Sequence, residues 1–319
     1  MAILVTGACG FVGLNIVERL LAAGRAVVGL DRIPLPARAA QAFARLPGRL
    51  TLIDGSVLVP ADLDRALVPP VAAVIHCAVI TAGADREKSA PQGIVAVNVQ
   101  GAVATLMAAA RHGVPAFIYP SSISVYGRAA ASGAVITEDG MGTDPITLYA
   151  MTKLASETML TRLAALNGIR FAAARLASVY GPWEYATGVR DTLSPMVQAM
   201  DLARTGVTAV LSASSVGDFV YARDVAAGLI ALADTPNFPR ALYNLGSGRV
   251  TSAPAFCTEL ATRVPGFSWR MAQPEETPNV ITYVDFDRGP MDVSRISRDI
   301  GFTPRFDIKT AIADWLRPL

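Results

Sequence analysis

Residue types that crosslink chains or bind metals are scarce in this sequence. Cysteine occurs only as Cys9, Cys77 and Cys257. These are far apart, odd in number and never in a Cys-x-x-Cys arrangement, which argues against a disulfide framework or zinc site and for a reducing compartment. Histidine occurs only as His76 and His112, too few for a metal cluster or a Ser-His-Asp triad, so no metal is expected. Charged residues make up just 17% of the chain, and the net charge of +2 contains no run of one sign. A nucleic-acid partner is therefore not indicated. The apolar start Ala2-Ile3-Leu4-Val5 is broken at once by Thr6-Gly7 and lacks a basic leader. The longest apolar stretch, Val71 to Ile80, contains His76 and is too short to span a bilayer. A cytoplasmic protein without a membrane partner is expected. Lysine is rare as well, with only Lys88, Lys153 and Lys309 among 28 basic residues.

What the chain has is apolar residues, 52% over 319 positions, enough for a large α/β domain and a smaller appended one. Short, nearly continuous apolar runs recur at Ile3–Val5, Ala26–Leu30, Leu50–Ile53, Val71–His76, Ala116–Tyr119 and Phe171–Leu176. Strands buried on both faces read this way. Helical stretches fall between them: Gly13–Ala23, Gly93–Arg111, and one from after Pro145 to Asn167-Gly168. Strand-helix alternation of this kind gives a Rossmann-type, doubly wound parallel sheet. After Pro182 the alternation weakens, and the segments 183–215 and 250–290 read as loop-rich. Phe219–Ala233 reads as helix and Ala241–Leu245 as a strand returning to the sheet. The expected division is a dinucleotide-binding domain over 1–181 and 216–249, with a discontinuous C-terminal substrate domain over 182–215 and 250–319.

Thr6-Gly7-Ala8-Cys9-Gly10-Phe11-Val12-Gly13 lies between the first strand and the first helix. Glycines there let the backbone approach a pyrophosphate, which the helix N-terminus attracts with free N–H groups. Ordinary turns also use glycine, but Asp31 closes the second strand at the spacing where a carboxylate binds the adenosine ribose hydroxyls and repels a 2′-phosphate. NAD is thus favoured over NADP. Arg32 is the counterweight, since it could pair with a 2′-phosphate; a solvated surface charge is its plainer reading.

Tyr149 and Lys153 stand four residues apart on an expected helix, and so on one face. A free phenol titrates near ~10, and a nearby cation lowers that value, so the pair could take a proton from an alcohol as hydride leaves. Many such pairs merely decorate amphipathic helices. Here an arginine-rich chain has kept a lysine, and Pro120-Ser121-Ser122-Ile123-Ser124 comes off the carboxyl end of the fifth strand, where ligands bind. Capping explains Ser124; Ser122 is read as a reacting group.

With these residues in place, the chain resembles the extended short-chain dehydrogenases/reductases, often labelled NAD-dependent epimerase/dehydratase. The likeness takes in Val97-Asn98-Val99, Arg175 to Pro182, Asp218-Phe219-Val220-Tyr221 with Asp224, and Tyr243-Asn244-Leu245-Gly246. It implies that Ser122 orients the reacting hydroxyl, Tyr149 is the acid/base and Lys153 holds the nicotinamide ribose. It also implies cofactor contacts from Gly7, Gly10, Phe11, Val12, Gly13, Asp31, Arg32 and Asn98. Ser56-Val57 would flank the adenine, Cys77-Ala78-Val79 the pyrophosphate and riboses, and Val179 the carboxamide. The family usually has aspartate where Ser56 stands, and Asp54 is a possible substitute. A homodimer through the two alanine-rich helices is a further implication.

Departures from the family pattern bear on the reaction. Ser121-Ser122-Ile123 replaces the Thr-Asp-Glu run of the 4,6-dehydratases. Ser178 and Gly217 stand where nucleotide-sugar 4-epimerases commonly carry asparagine and arginine, groups that serve the sugar diphosphate. Arg190, Arg223 or Arg288 could compensate, though an ion pair is the plainer reading of Arg223. The sequence reading leans to a dehydrogenase of a small polyhydroxy or hydroxy-acid substrate, with Ser122, Ser178, Arg190 and Arg288 as substrate contacts. A nucleotide-sugar 4-epimerase is the alternative, and a non-catalytic NAD-sensing regulator is a third reading. Specificity is expected from 183–214 and 283–292.

Overall fold

The computed structural model describes residues 1–68, 70–282 and 286–317; part of the expected specificity segment, 283–285, lies outside them. The chain begins β1 (Ala2–Thr6), α1 (Phe11–Ala22), β2 (Ala26–Asp31), α2 (Ala37–Phe43), β3 (Arg49–Asp54), α3 (Pro60–Leu67) and β4 (Val71–His76). Then come α4 (Ala84–Ser89), α5 (Pro91–Val95), α6 (Gly101–Arg111), β5 (Ala116–Ser122), α7 (Leu148–Leu166) and β6 (Arg170–Leu176). These strands, with β10 (Leu242–Leu245) at one edge, form a seven-stranded parallel sheet in the order β10-β6-β5-β4-β1-β2-β3. The expected doubly wound sheet is what the chain forms.

The strand order turns back on itself between β1 and β4, so the loops after these two strands diverge and leave a crevice above their carboxyl ends. All five residues of β1 are buried, as an apolar run between two helical layers requires. The sheet's two faces bury separate clusters, one including Leu14, Ile16 and Leu229 and the other including Leu63, Leu106 and Leu160.

Two expectations change here. The helix read over Phe219–Ala233 begins only at α9 (Ala222–Asp234); the three residues before it belong to strand β9 (Gly217–Tyr221). That strand pairs with β7 (Ser178–Tyr180), and such pairing decides a short apolar run whose periodicity is ambiguous. The segments read as loop-rich also hold α8 (Pro195–Thr205), β8 (Ala209–Leu211), β11 (Val250–Thr251), α10 (Ala253–Ala261) and β12 (Trp269–Met271). Ser194 and Ser252 cap α8 and α10 through their hydroxyls. With α11 (Ser294–Ile300) and α12 (Ile308–Trp315) they complete the chain, and a third cluster around Met200, Phe256 and Trp315 packs α8, α10 and α12 together.

The run Pro91–Arg111 has the length and hydropathy of a membrane span, which the reading of Val71–Ile80 as the longest apolar stretch overlooked. Its Ile94, Ala102, Leu106, Ala108 and Ala109 are buried within this fold, which accounts for the composition. A π-turn at Ala96–Gln100 interrupts this run and carries the buried Asn98.

Candidate active site

A cavity of about 700 Å³ opens above the carboxyl ends of β1 and β4. Its floor is the turn between β1 and α1. Gly7 has φ +66°, and a Cβ on it would meet the Ala78 nitrogen at 2.7 Å. A Cβ on Gly13 would lie 2.1 Å from the Gly7 carbonyl oxygen. Only glycine lets these two backbones lie so close. The α1 N-cap, Gly10, offers the first turn no side-chain acceptor, so this end of α1 suits a pyrophosphate. Asp31 lines the same cavity and accepts hydrogen bonds from the backbone N–H groups of Cys9 (2.8 Å) and Ile33 (3.0 Å). Burial raises its pKa, against the pull of these bonds. This cradle fits a dinucleotide with free ribose hydroxyls.

Of the other expected cofactor contacts, Phe11, Val12, Arg32, Ser56, Val57, Cys77, Ala78 and Val179 line the cavity, as does Val79. Asp54 and Asn98 do not. Asp54 is exposed at the end of β3, and it is Asp62 whose carboxylate accepts from the Ser56 N–H at 2.9 Å. Asn98 lies behind the wall, where it accepts from the Ile80 N–H at 2.8 Å and donates to the Ile80 carbonyl (3.1 Å) and the Thr152 hydroxyl (3.0 Å). It braces the loop after β4 against α7 instead of touching the cavity.

Ser122, Tyr149 and Lys153 converge on this cavity from the end of β5 and the first turns of α7, whose start is capped by the Thr147 hydroxyl. One detail corrects the expectation. Ser122, not Ser124, is the cap: its Oγ accepts from the Ser124 N–H (3.2 Å) and hydroxyl (2.8 Å). Its own hydroxyl proton is thereby left to point elsewhere. Lys153, in turn, is anchored on the backbone of β5. Its Nζ donates to the Pro120 carbonyl at 2.6 Å, 5.9 Å from the centre of the Tyr149 ring and 4.6 Å from that of Tyr119. Burial raises the Tyr149 pKa, opposed by the Ser122 hydroxyl and then by the Arg190 charge. Burial also lowers the Lys153 pKa to about 8, against the charge of Glu157. One turn beyond Lys153, Glu157 is itself engaged in a buried pair with Arg175 at 2.7 Å.

Ser178, Arg190 and Arg288 also line the cavity. Arg190 is already paired: its Nη2 donates at 2.6 Å to Glu184, whose side chain is wholly buried and also accepts from Ser194. Glu184 carries no motif that would have marked it in the sequence. Arg288 has no ion-pair partner among the described residues, its buried Nε has no hydrogen bond, and burial lowers its pKa to about 10. It sits against Gly217: a Cβ there would touch the Arg288 Cβ at 3.7 Å. Arg223 pairs with Asp314 at 3.0 Å. Asp218 and Asp224 are structural, accepting backbone N–H bonds from residues 247, 248 and 291 and from 305 and 306 respectively.

Fold and cradle together define an enzyme that works with a bound dinucleotide. Residues 3–246 match the model of the NAD dependent epimerase/dehydratase family, and the chain belongs to that family. Its cofactor is accordingly NAD. The chain is 30% identical to the UDP-glucose 4-epimerase of Mycolicibacterium smegmatis over 98% of its own length and 96% of the relative's. It is 26% identical to UDP-glucuronate 4-epimerase 3 of Arabidopsis thaliana, over 99% of the chain and 76% of that protein. Among solved structures it resembles MoeE5 in complex with UDP-glucose and NAD, with a TM-score of 0.76 and 26% identity over 99% of this chain and 97% of that one.

Proposed function

We propose that this enzyme is a 4-epimerase of a nucleotide-diphosphate sugar, with Ser122, Tyr149 and Lys153 as its catalytic residues. The observation that carries this reading is Arg288, a guanidinium whose buried Nε has no partner among the described residues, in the cavity that also holds Tyr149 and the glycine cradle. A guanidinium half-withdrawn from water, lying over the Phe286 ring with no anion beside it among the described residues, is costly to hold, and a diphosphate would relieve that cost. Arg288 also lies beside Gly217, close to where related 4-epimerases commonly carry an arginine. The full-length likeness to a UDP-glucose 4-epimerase points the same way, and away from the dehydrogenase lean.

Gly7, Gly10, Gly13 and Asp31 would hold NAD, which when bound supplies the acceptor and donor of hydride. Tyr149 takes the proton from a ring hydroxyl and later returns it, while the free Ser122 proton donates to the same oxygen. Lys153 would bind the nicotinamide ribose. The loss and return of hydrogen at one carbon, on opposite faces, leaves no net redox change. The two-part domain division read from the sequence belongs to this proposal, with β7, β9 and the segments from α8 onward walling the sugar end. Homodimer formation through α6 and α7, where Met151, Met159 and Leu166 are exposed, and a cytoplasmic location complete it.

The test is incubation with UDP-sugars without added cofactor, followed by analysis of sugar stereochemistry and of NADH absorbance. Inversion at C4 without accumulated NADH is expected. Steady NADH formation from a sugar acid or small hydroxy acid with added NAD would instead establish a dehydrogenase. One observation favours that second reading: with Arg190 engaged by Glu184, the Arg288 guanidinium suits a lone carboxylate as well as a diphosphate.

A further inference from the structure

The segment 187–191 crosses from the β7 side of the cavity to the loop after β4. Thr81 and Arg190 form a parallel β-bridge, with Thr81 N–H donating to the Val189 carbonyl (2.9 Å) and Asp191 N–H to the Thr81 carbonyl (3.0 Å). Side chains lock this bridge. Arg86 on α4 donates from Nε and Nη2 to the two Asp191 oxygens, each at 2.7 Å, and from Nη2 to the Gly188 carbonyl at 2.8 Å. The Gly83 N–H adds a fourth bond, to Asp191 at 3.0 Å. On the next residue of α4, the Glu87 carboxylate accepts from the Tyr149 backbone N–H at 3.3 Å. One short helix thus ties the crossing segment to the start of the helix that carries Tyr149.

Both halves of this clasp, Ile80–Ala82 and Thr187–Arg190, line the cavity that holds the glycine cradle and Tyr149. We propose that Arg86 and Asp191 are positioning residues whose bidentate pair fastens segment 187–191 across the cavity and retains bound NAD. The pair is bidentate and charge-assisted, a geometry that resists both translation and rotation of the segment. For a dinucleotide to leave, the bridge must part, so exchange is gated by a local opening and not by diffusion alone. A captive cofactor suits a reaction that returns its hydride to the same substrate. The inference therefore rests on the proposed function and extends it to cofactor exchange.

The experiment loads NADH onto the wild-type chain, Arg86→Gln and Asp191→Asn, and follows its release into excess NAD by nicotinamide fluorescence. Asp234→Asn serves as control, because it breaks a bidentate surface pair, Arg25–Asp234, that lies away from the cavity. Both clasp variants are expected to release NADH about tenfold faster or more, with the control unchanged and melting temperatures close to wild type. Release rates equal to wild type, or an equal rise in the control, would overturn the clasp and leave the functional reading intact. A wild-type chain that binds no NADH would overturn both.

Discussion

The Lys153 ammonium is bonded to the Pro120 carbonyl at 2.6 Å, so the end of β5 and not the Tyr149 phenol fixes its position. The cation is held inside the protein at an electrostatic cost, which appears as a pKa lowered to about 8 by burial. The folded chain binds fewer protons at this site than the unfolded chain between that value and the ordinary lysine range. Stability at this site is therefore lowest below pH 8 and recovers as the pH rises toward the free-lysine pKa. Relative to Lys153→Met, the wild-type chain should gain on the order of 1–3 kcal/mol between pH 7.5 and pH 10. Paired urea titrations across that range test it; a pH-independent difference would refute it.

Tyr149→Phe keeps the ring and removes only the hydroxyl proposed to carry the proton. Turnover should fall about 10²- to 10⁴-fold, while NADH affinity stays within about twofold. Single-turnover kinetics and fluorescence titration on the same preparation separate the two effects.

Removal of Arg288 should move binding and stability in opposite directions. Its buried Nε has no partner among the described residues, and burial has lowered its pKa to about 10, so the folded state bears the cost of the charge. Arg288→Met should raise the substrate KM about tenfold or more, leave NADH affinity unchanged, and raise stability by on the order of 1 kcal/mol. A lower melting temperature would show that the guanidinium has a structural role.

Asp31 is proposed as the group that distinguishes NAD from NADP. Asp31→Asn retains an oxygen acceptor for the Cys9 N–H but loses the charge that repels a 2′-phosphate, and Arg32 lines the same cavity. The ratio of NADH to NADPH affinity should fall about tenfold. An unchanged ratio would assign the discrimination elsewhere.

The strands β1 to β6, the glycine turn, Asp31 and the Tyr149–Lys153 spacing were legible in the sequence because each is a local pattern. An apolar run, a tight turn or a one-turn helical spacing is set by neighbours a few residues away. The helices α8 and α10 were harder to read, since their apolar faces have meaning only against α12 and one another. Asn98, expected from family position, and Asp54, expected as a substitute near Ser56, do not line the cavity, because neither kind of nearness in sequence reveals which way a side chain faces.

Chain-local chemistry determined the glycine turn of a dinucleotide-binding enzyme and set Tyr149 and Lys153, the proposed proton-transfer pair, one helical turn apart. Tertiary structure decided how the charges around the cavity are engaged: Glu184 engages Arg190, Pro120 holds Lys153, and Arg288 comes to rest beside Gly217 with no ion-pair partner among the described residues. Arg86 and Asp191 are 105 residues apart, and only the folded sheet brings them together. A charge pair acts through distance in space, which the order of residues along the chain does not specify.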